Sequence, residues 1–341
     1  MFQPLRFQEN KLHIIDQTRL PFEEKWLHIK NAREMYQAIK KLQIRGAPAL
    51  GIAGIFGLWL GVKDEINCSA NTFLKKVQET GDFLKTARPT AVNLFWAIDR
   101  GISVLKRGKS MNSRELAHLL LQEATHLWRE DIETCRRIGE HGQTLIEEES
   151  NILTHCNAGA LATGAYGTAL SVIYFAQQKG KRVHVYVDET RPLLQGARLT
   201  TWELQRNNIP CTLICDNMAA YTVKQKNIGC IITGADRIAL NGDTANKIGT
   251  YNLALIARHH DIPFYIAAPL STFDSSTPNG KGIVIEERPA EEVRNFHNTP
   301  SAPPDIPVFN PAFDVTPAEL ITAYITEKGI HSPHTIKGLL A

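Results

Sequence analysis

From Asn151 onward the chain alternates short apolar runs with helical segments, and that alternation leaves little choice of fold. The runs are Ile152–His155, Val183–Val187, Thr212–Cys215, Cys230–Thr233 and Phe264–Ala267. Between them lie segments of helical character near Leu161–Gln178, Gly196–Asn207, Met218–Lys224 and Asn246–His259. Short strands separated by helices predict βαβ units and hence an α/β fold, a doubly wound, Rossmann-like parallel sheet. In open sheets of that kind ligands bind beyond the carboxyl ends of the strands. Here the runs end in Cys156, Asp188–Glu189, Asp216, Gly234–Ala235–Asp236 and Ala268–Pro269. Four of the five ends carry a thiol or a carboxylate, more than a structural sheet requires.

The N-terminal part reads differently. Leu12–Asp16 and Lys25–Ile29 look like two strands around the turn Leu20–Pro21. From Asn31 the period lengthens. Met35, Ile39 and Leu42 recur at helical spacing, and Leu50–Val62 is apolar nearly all round, which marks a buried helix. Helical patterns continue through Asn71–Ala87, Ala91–Lys106 and Ser113–His141, the first two separated by Arg88–Pro89–Thr90. The expected organisation is a smaller domain over residues 1–128, with a short antiparallel sheet and a helical bundle. A bridging helix over 129–150 and a catalytic domain over 151–341 follow. The tail is proline-rich from Pro300 to Pro311. Thr316–Pro317–Ala318–Glu319 then predicts a last helix with Thr as N-cap, Pro at N1 and Glu at N3.

Composition narrows the function. At 341 residues and 43% hydrophobic content the chain can bury two cores. A formal net charge of +3 is too small to argue for nucleic acid. No apolar run has membrane-spanning length and no cleavable leader is evident, so the expectation is a cytoplasmic protein with no membrane partner. Six scattered cysteines point to reduced thiols. Cys211 and Cys215 have no second Cys/His pair nearby, so no metal is expected. Gly159, Gly164 and Gly167 suggest a phosphate loop, but no Gly-Lys-Ser/Thr follows, and no GxGxxG stands there either. No nucleotide cofactor is expected.

Several residues could carry chemistry. Cys156 sits where a strand turns through Ala158–Gly159 toward a predicted helix. Backbone N–H groups and the helix dipole at such a start would stabilise a thiolate or a phosphate. The competing reading is an inert buried thiol. Strand alternation aims the neighbouring His155 at the opposite face. Asp236 could cap the next turn, pair with Arg237, or act as a partly desolvated proton donor. Asn246–Thr250 reads as a helix start, where a cation such as Lys247 is out of place unless it meets an anion. Arg45 and Arg88 each lie beside a Gly or Pro break. They are surface arginines or, facing an interdomain cleft, the fork of a phosphate clamp. Asp188 and Gln195 could hold sugar hydroxyls or simply make turns.

Taken together these pieces resemble the methylthioribose-1-phosphate isomerase family. The resemblance is carried by Arg45–Gly46–Ala47–Pro48–Ala49, Arg88–Leu94, Thr154–Gly159, Asp188–Pro192, Gln195–Thr200, Gly234–Ile238 and Gly242–Tyr251. It runs from the first strands to Phe313–Pro317. It implies a homodimeric aldose–ketose isomerase of methionine salvage that uses neither nucleotide nor metal. The substrate would be 5-methylthioribose 1-phosphate and the product 5-methylthioribulose 1-phosphate. The family's active aspartate falls on Asp236 and its active-site cysteine on Cys156. Its substrate-binding positions fall on Arg45, Gly46, Ala47, Arg88, Gln195, Asn246 and Lys247. A phosphorylated anomeric oxygen prevents spontaneous ring opening, so an acid is needed at the ring oxygen, and Asp236 suits it. Hydrogen then moves from C2 to C1 by proton shuttle, with Cys156 as base, or by hydride shift, with Cys156 stabilising the transition state. The same superfamily holds ribose-1,5-bisphosphate isomerases and regulatory subunits of translation initiation factor 2B. The pairing of Cys156 with Asp236 argues against the latter.

Overall fold

The computed structural model describes residues 2–89, 91–108, 110–296, 299–336 and 338. Thr90, in the predicted break after Arg88, lies outside them. The chain forms two compact units, Met1–Glu133 with Ala160–Gly167, and Thr134–Gly159 with Thr168–Ala341.

In the first unit β1 (Leu5–Gln8), β2 (Lys11–Ile15) and β3 (Trp26–Ile29) make an antiparallel three-stranded sheet. β1 adds to the two strands expected from the alternation. Helix α1 (Ala32–Lys40) is started by Asn31, whose side chain accepts the Glu34 N–H at 2.9 Å. Helices α2 (Ala47–Val62), α3 (Ala70–Lys85) and α4 (Val92–Leu105) follow, then the long α5 (Ser113–Gly142), within which the division between the units falls. α2 is buried on all sides, as its unbroken apolar sequence predicts. Ile52, Ile55 and Phe56 pack with Ile14, Ile39, Leu94 and Ile98 in one core.

The second unit opens with β4 (Glu149–Thr154), α6 (Ala169–Gln178), β5 (Arg182–Asp188), α7 (Thr201–Arg206), β6 (Cys211–Ile214), α8 (Ala219–Gln225) and β7 (Ile228–Thr233). A hairpin of β8 (Arg237–Ala239) and β9 (Thr244–Lys247) leads to α9 (Thr250–His259) and β10 (Phe264–Ala267). After β11 (Phe273–Asp274) come α10 (Glu291–Arg294) and a small ladder of β12 (Asn295–Phe296) with β13 (Thr299–Pro300). β14 (Phe313–Thr316), β15 (Ala323–Thr326) and β16 (Gly329–His331) complete the described strands. Among the described residues the main sheet has seven strands in the order β16-β15-β10-β7-β4-β5-β6, parallel except for β16. A second sheet runs β11-β8-β9-β14.

The pleat explains why the middle of the main sheet is apolar on both faces. Ile152, Val185 and Ile232 join Leu170, Ile173 and Tyr174 of α6 on one face. Their neighbours Leu153, Tyr186 and Ile231 join Val223 of α8 and Leu253 of α9 on the other. Successive residues thus enter two cores, as strand alternation requires of a sheet covered on both sides. The expected doubly wound architecture is present.

Three local expectations are corrected. The segment read as a helix from Leu161 holds only a single 3-10 turn, Ala160–Ala162, and the helix begins at Ala169. Thr163 takes over the backbone there, giving its hydroxyl to Ala165 O and accepting the Gly167 N–H. Asn246 and Lys247 lie in strand β9, and helix α9 starts only at Thr250. The last predicted helix is one 3-10 turn, Ala318–Leu320, because the residues that follow pair into the sheet as β15 and β16.

Candidate active site

In the second unit Cys156 and Gly234–Ala235–Asp236 follow the carboxyl ends of β4 and β7. These strands are direct neighbours, with Thr154 in register with Ile232. The Thr154 hydroxyl fastens the two ends together by donating to Ile232 O at 2.8 Å. Asp188 ends β5 on the other side of β4. Topology therefore delivers the thiol and both carboxylates to one edge of the sheet, where ligands of open α/β folds bind. Asp236 is exposed, not partly desolvated as one of the expectations from sequence had it. Its neighbour Arg237 points toward Asp274, 3.6 Å away.

Cys156 does not stand at a helix start. The helix begins only at Ala169, so the expected dipole does not act on the thiol. Instead Cys156 adopts a left-handed conformation, φ 60°, between two hydrogen-bonded threonines. Its N–H donates to Thr190 Oγ1 at 2.8 Å, and its carbonyl accepts from Thr200 Oγ1 at 2.6 Å.

His155 proves to be a member of the site's framework. It is buried, with Nδ1 3.0 Å from Asp188 Oδ2 and Nε2 2.9 Å from the carbonyl of Ile248. A carbonyl can only accept, so Nε2 carries a proton, and the remaining titratable proton lies between Nδ1 and Asp188. The ring also packs on Gly249 (φ 104°), where an added Cβ would lie 2.9 Å from His155 Cε1. That turn directly follows Asn246 and Lys247. Gly249 N and Tyr251 N donate to Asp314 at 2.7 and 3.1 Å, which caps α9. Asn246, itself buried, donates to Thr250 Oγ1 at 3.0 Å. Lys247 reaches Ala312 O at 2.9 Å and lies over the Phe313 ring.

Burial pulls the His155 imidazole down, but the hydrogen bond and charge of Asp188 outweigh it and hold the pKa above the ordinary histidine value. Burial raises Asp188 to about 6, opposed by His155 and assisted by Asp216 and Glu189. The folded pair therefore keeps its proton to higher pH than the unfolded chain does. Stability from such groups is present at low pH and lost as the pH rises through the raised values. In Asp188→Asn the histidine keeps its burial and loses its partner, so the sign of its contribution reverses. The stability advantage of wild type over Asp188→Asn is expected to shrink by several degrees of Tm between pH 5 and pH 8. Thermal melts across that range check this, and an advantage that grows with pH contradicts it.

His155, Asp188 and Asp216 are also close enough together to suggest a metal. The donor atoms of His155 and Asp216, and Asp188 Oδ2, are nonetheless engaged with protein. Both His155 nitrogens are used as described, and Asp216 accepts the N–H groups of Thr190 and Arg191 at 2.8 and 2.7 Å. Asp188 Oδ1 and Gln195 Oε1 are buried and have no hydrogen-bond partner among the described residues. Gln195 immediately precedes a π-helical turn, Gly196–Thr200, that leads into α7.

The remaining predicted residues belong to the first unit. Gly46 (φ 94°) begins α2, and a Cβ there would lie 2.5 Å from the backbone of Ala162, so only glycine fits. Ala47 is the first residue of α2, followed by Pro48. Arg45 is half-buried and gives its Nε–H to Gln17 Oε1 at 3.2 Å. Gln17 in turn holds Leu161 O at 2.7 Å. Arg88 is half-buried, and its Nε has no hydrogen-bond partner among the described residues.

A doubly wound sheet with a thiol and a carboxylate at neighbouring strand ends places this chain in a known class: it belongs to the initiation factor 2 subunit family, whose model matches residues 43–333. Within it, the chain is 54% identical over 327 residues to the methylthioribose-1-phosphate isomerase of Caldicellulosiruptor saccharolyticus, covering 96% of this chain and 95% of the relative. The crystal structure of 5-methylthioribose 1-phosphate isomerase from Pyrococcus horikoshii superposes with a TM-score of 0.94 at 42% identity, covering 100% of this chain and 95% of that one. A structure described as translation initiation factor eIF-2B, subunit delta, from A. fulgidus gives 0.90 at 42% identity, over 98% and 97% of the two chains.

Among sequence-predicted residues, the second unit thus holds Cys156, Asp236, Gln195, Asn246 and Lys247, and the first holds Arg45, Gly46, Ala47 and Arg88. Sequence reasoning missed Thr190, Thr200 and the role of His155. The only signal for the threonines was their place inside the quoted family stretches.

Proposed function

We propose that this chain is an aldose–ketose isomerase that converts 5-methylthioribose 1-phosphate to 5-methylthioribulose 1-phosphate in methionine salvage. The observation that carries this is the near full-length similarity to a methylthioribose-1-phosphate isomerase, at 54% identity. It agrees with a thiol and a carboxylate following adjacent parallel strands. In this reading Asp236 gives its proton to the ring oxygen and the ring opens. Hydrogen moves from C2 to C1, Cys156 acting as base or stabilising the transition state, and the hydroxyl at C2 becomes the carbonyl as its proton passes back to Asp236. Atoms and electrons balance within the substrate, so no redox cofactor is called for. The phosphate is assigned to Arg45, Arg88 and Lys247, with backbone N–H groups of Gly46 and Ala47. Gln195 and Asn246 are assigned to hydroxyls. The enzyme works as a cytoplasmic homodimer. Among the described residues no helix is long and apolar enough to cross a membrane.

The test is direct turnover, followed by NMR of the sugar phosphate. Conversion of 5-methylthioribose 1-phosphate is expected, undiminished after dialysis against a chelator and unchanged by added NAD or ATP. Turnover of ribose 1,5-bisphosphate with none of the methylthio sugar would move the substrate assignment. Tight binding to an initiation factor without any isomerisation would favour a regulatory subunit, a reading that the eIF-2B likeness keeps specific.

A further inference from the structure

Cys156 has a left-handed backbone, φ 60°, which is uncommon for a non-glycine residue. What imposes it here is on both sides of the residue. Thr190 Oγ1 accepts the Cys156 N–H, and Thr200 Oγ1 donates to the Cys156 carbonyl. The direction of each bond is fixed, because each hydroxyl has one proton. Thr190 spends its own on Asp188 O at 3.0 Å, which leaves its oxygen to accept. Thr200 spends its own on Cys156, and its oxygen accepts from Asn157 Nδ2 at 3.2 Å. Both threonines are 0% exposed, so water does not replace a lost partner cheaply.

The clamp is itself held in place. Thr190 is also left-handed, φ 66°, an uncommon state for a β-branched residue. The two oxygens of Asp216, just past the end of β6, fix the N–H groups of Thr190 and Arg191. On the other side Thr200 ends the π-helical turn, a distortion that recurs at functional sites. Asn157 also donates to the buried Glu203 at 2.8 Å, which takes the Tyr174 hydroxyl on its other oxygen at 3.2 Å. Three strand ends are therefore laced together at the one peptide that carries the thiol.

We infer that Thr190 and Thr200 are positioning residues for Cys156: their buried hydroxyls clamp its peptide in the left-handed conformation and so set where the sulfur meets the sugar. This rests on the isomerase reading above for the catalytic role of Cys156. The clamp itself stands on the backbone geometry. Their hydroxyls bond the main chain of Cys156, so they act on placement and not on bond making.

Thr190→Val and Thr200→Val keep shape and remove the hydroxyl. Each is expected to lower kcat by roughly tenfold to a hundredfold, the size of effect a misplacement of about an ångström produces, with KM within about threefold of wild type. Thr190→Ser and Thr200→Ser retain the hydroxyl and are expected to restore most of kcat. A second readout does not depend on turnover: iodoacetamide labelling of Cys156, followed by peptide mass spectrometry. Its rate is expected to change severalfold in both valine variants and to return toward wild type in both serine variants. If the valine variants do not fold, Thr190→Ala and Thr200→Ala give the same comparison without the added methyl group. Folded variants lacking the hydroxyls, with wild-type kcat and wild-type labelling, would overturn the clamp. Altered labelling in an enzyme that never turns over the sugar phosphate would uphold the clamp and remove the isomerase reading.

Discussion

Asp236→Asn is expected to turn over the sugar phosphate at least about a hundredfold more slowly than wild type, because an amide cannot give the ring oxygen a proton. Asp236 is exposed, and replacing an exposed carboxylate by its isosteric amide is nearly neutral for stability. Tm and circular dichroism should therefore stay at wild-type values, which separates lost chemistry from lost fold. Cys156→Ser is expected to lose a similar factor. Its hydroxyl occupies nearly the same place on the same clamped backbone, but it ionises far less readily and is less polarisable. The two losses should not multiply in the double variant, since groups acting in one step are strongly non-additive. Single-turnover rates for the two single variants and the double variant check all three statements. A wild-type rate in either single variant would remove that residue from the chemistry.

The architecture was legible because strand and helix have different periods, and each apolar run filled both faces of the sheet. Ile152 and Leu153 enter opposite cores, and that is visible in a sequence with no polar residue between them. That Cys156 and Asp236 follow strands ending at one sheet edge came from the same reading, and β4 and β7 are parallel neighbours. Local signals failed where distant partners decided the backbone. The run from Ala158 to Ala169 has the alanines of a helix but no broad apolar face. Its course is set by hydroxyl and backbone bonds, including Gly164 N to Asp131 Oδ2. Lys247 was read as helical because Gly249–Thr250 does open a helix, but β14 pairs with β9 from far along the chain and holds Lys247 in a strand. The capping pattern at Thr316–Glu319 was realised for one turn before sheet pairing won. Thr190 and Thr200 belong to no motif with a stated mechanism. They reach the Cys156 peptide across 34 and 44 residues, and only the folded chain brings them there.

Arg88→Ala is expected to lower kcat/KM by upwards of about thirtyfold, on the basis that truncating one partner of a desolvated charge pair costs about 2–5 kcal/mol. The observation behind this is an unspent donor. Arg88 Nε is shielded from solvent and has no hydrogen-bond partner among the described residues. A shielded N–H without a partner costs free energy, which a phosphate oxygen accepting from it would recover. The guanidinium offers its donors as a planar fork, matched to two oxygens of one phosphate. Arg88→Lys keeps the charge and loses the fork, so it should recover only part of the loss. Inorganic phosphate provides a readout apart from turnover. A ligand bound only to the folded state stabilises it by RT ln(1 + [L]/Kd), about 2.7 kcal/mol at a hundred times Kd. Phosphate is therefore expected to raise the Tm of wild type in a concentration-dependent way and to do so much less for Arg88→Ala, with Arg88→Lys between them. Sulfate, with the same geometry, should imitate phosphate, while chloride at equal ionic strength should not. If phosphate protects wild type and Arg88→Ala to the same extent, the guanidinium does not hold the phosphate, and the unpaired Nε needs another explanation.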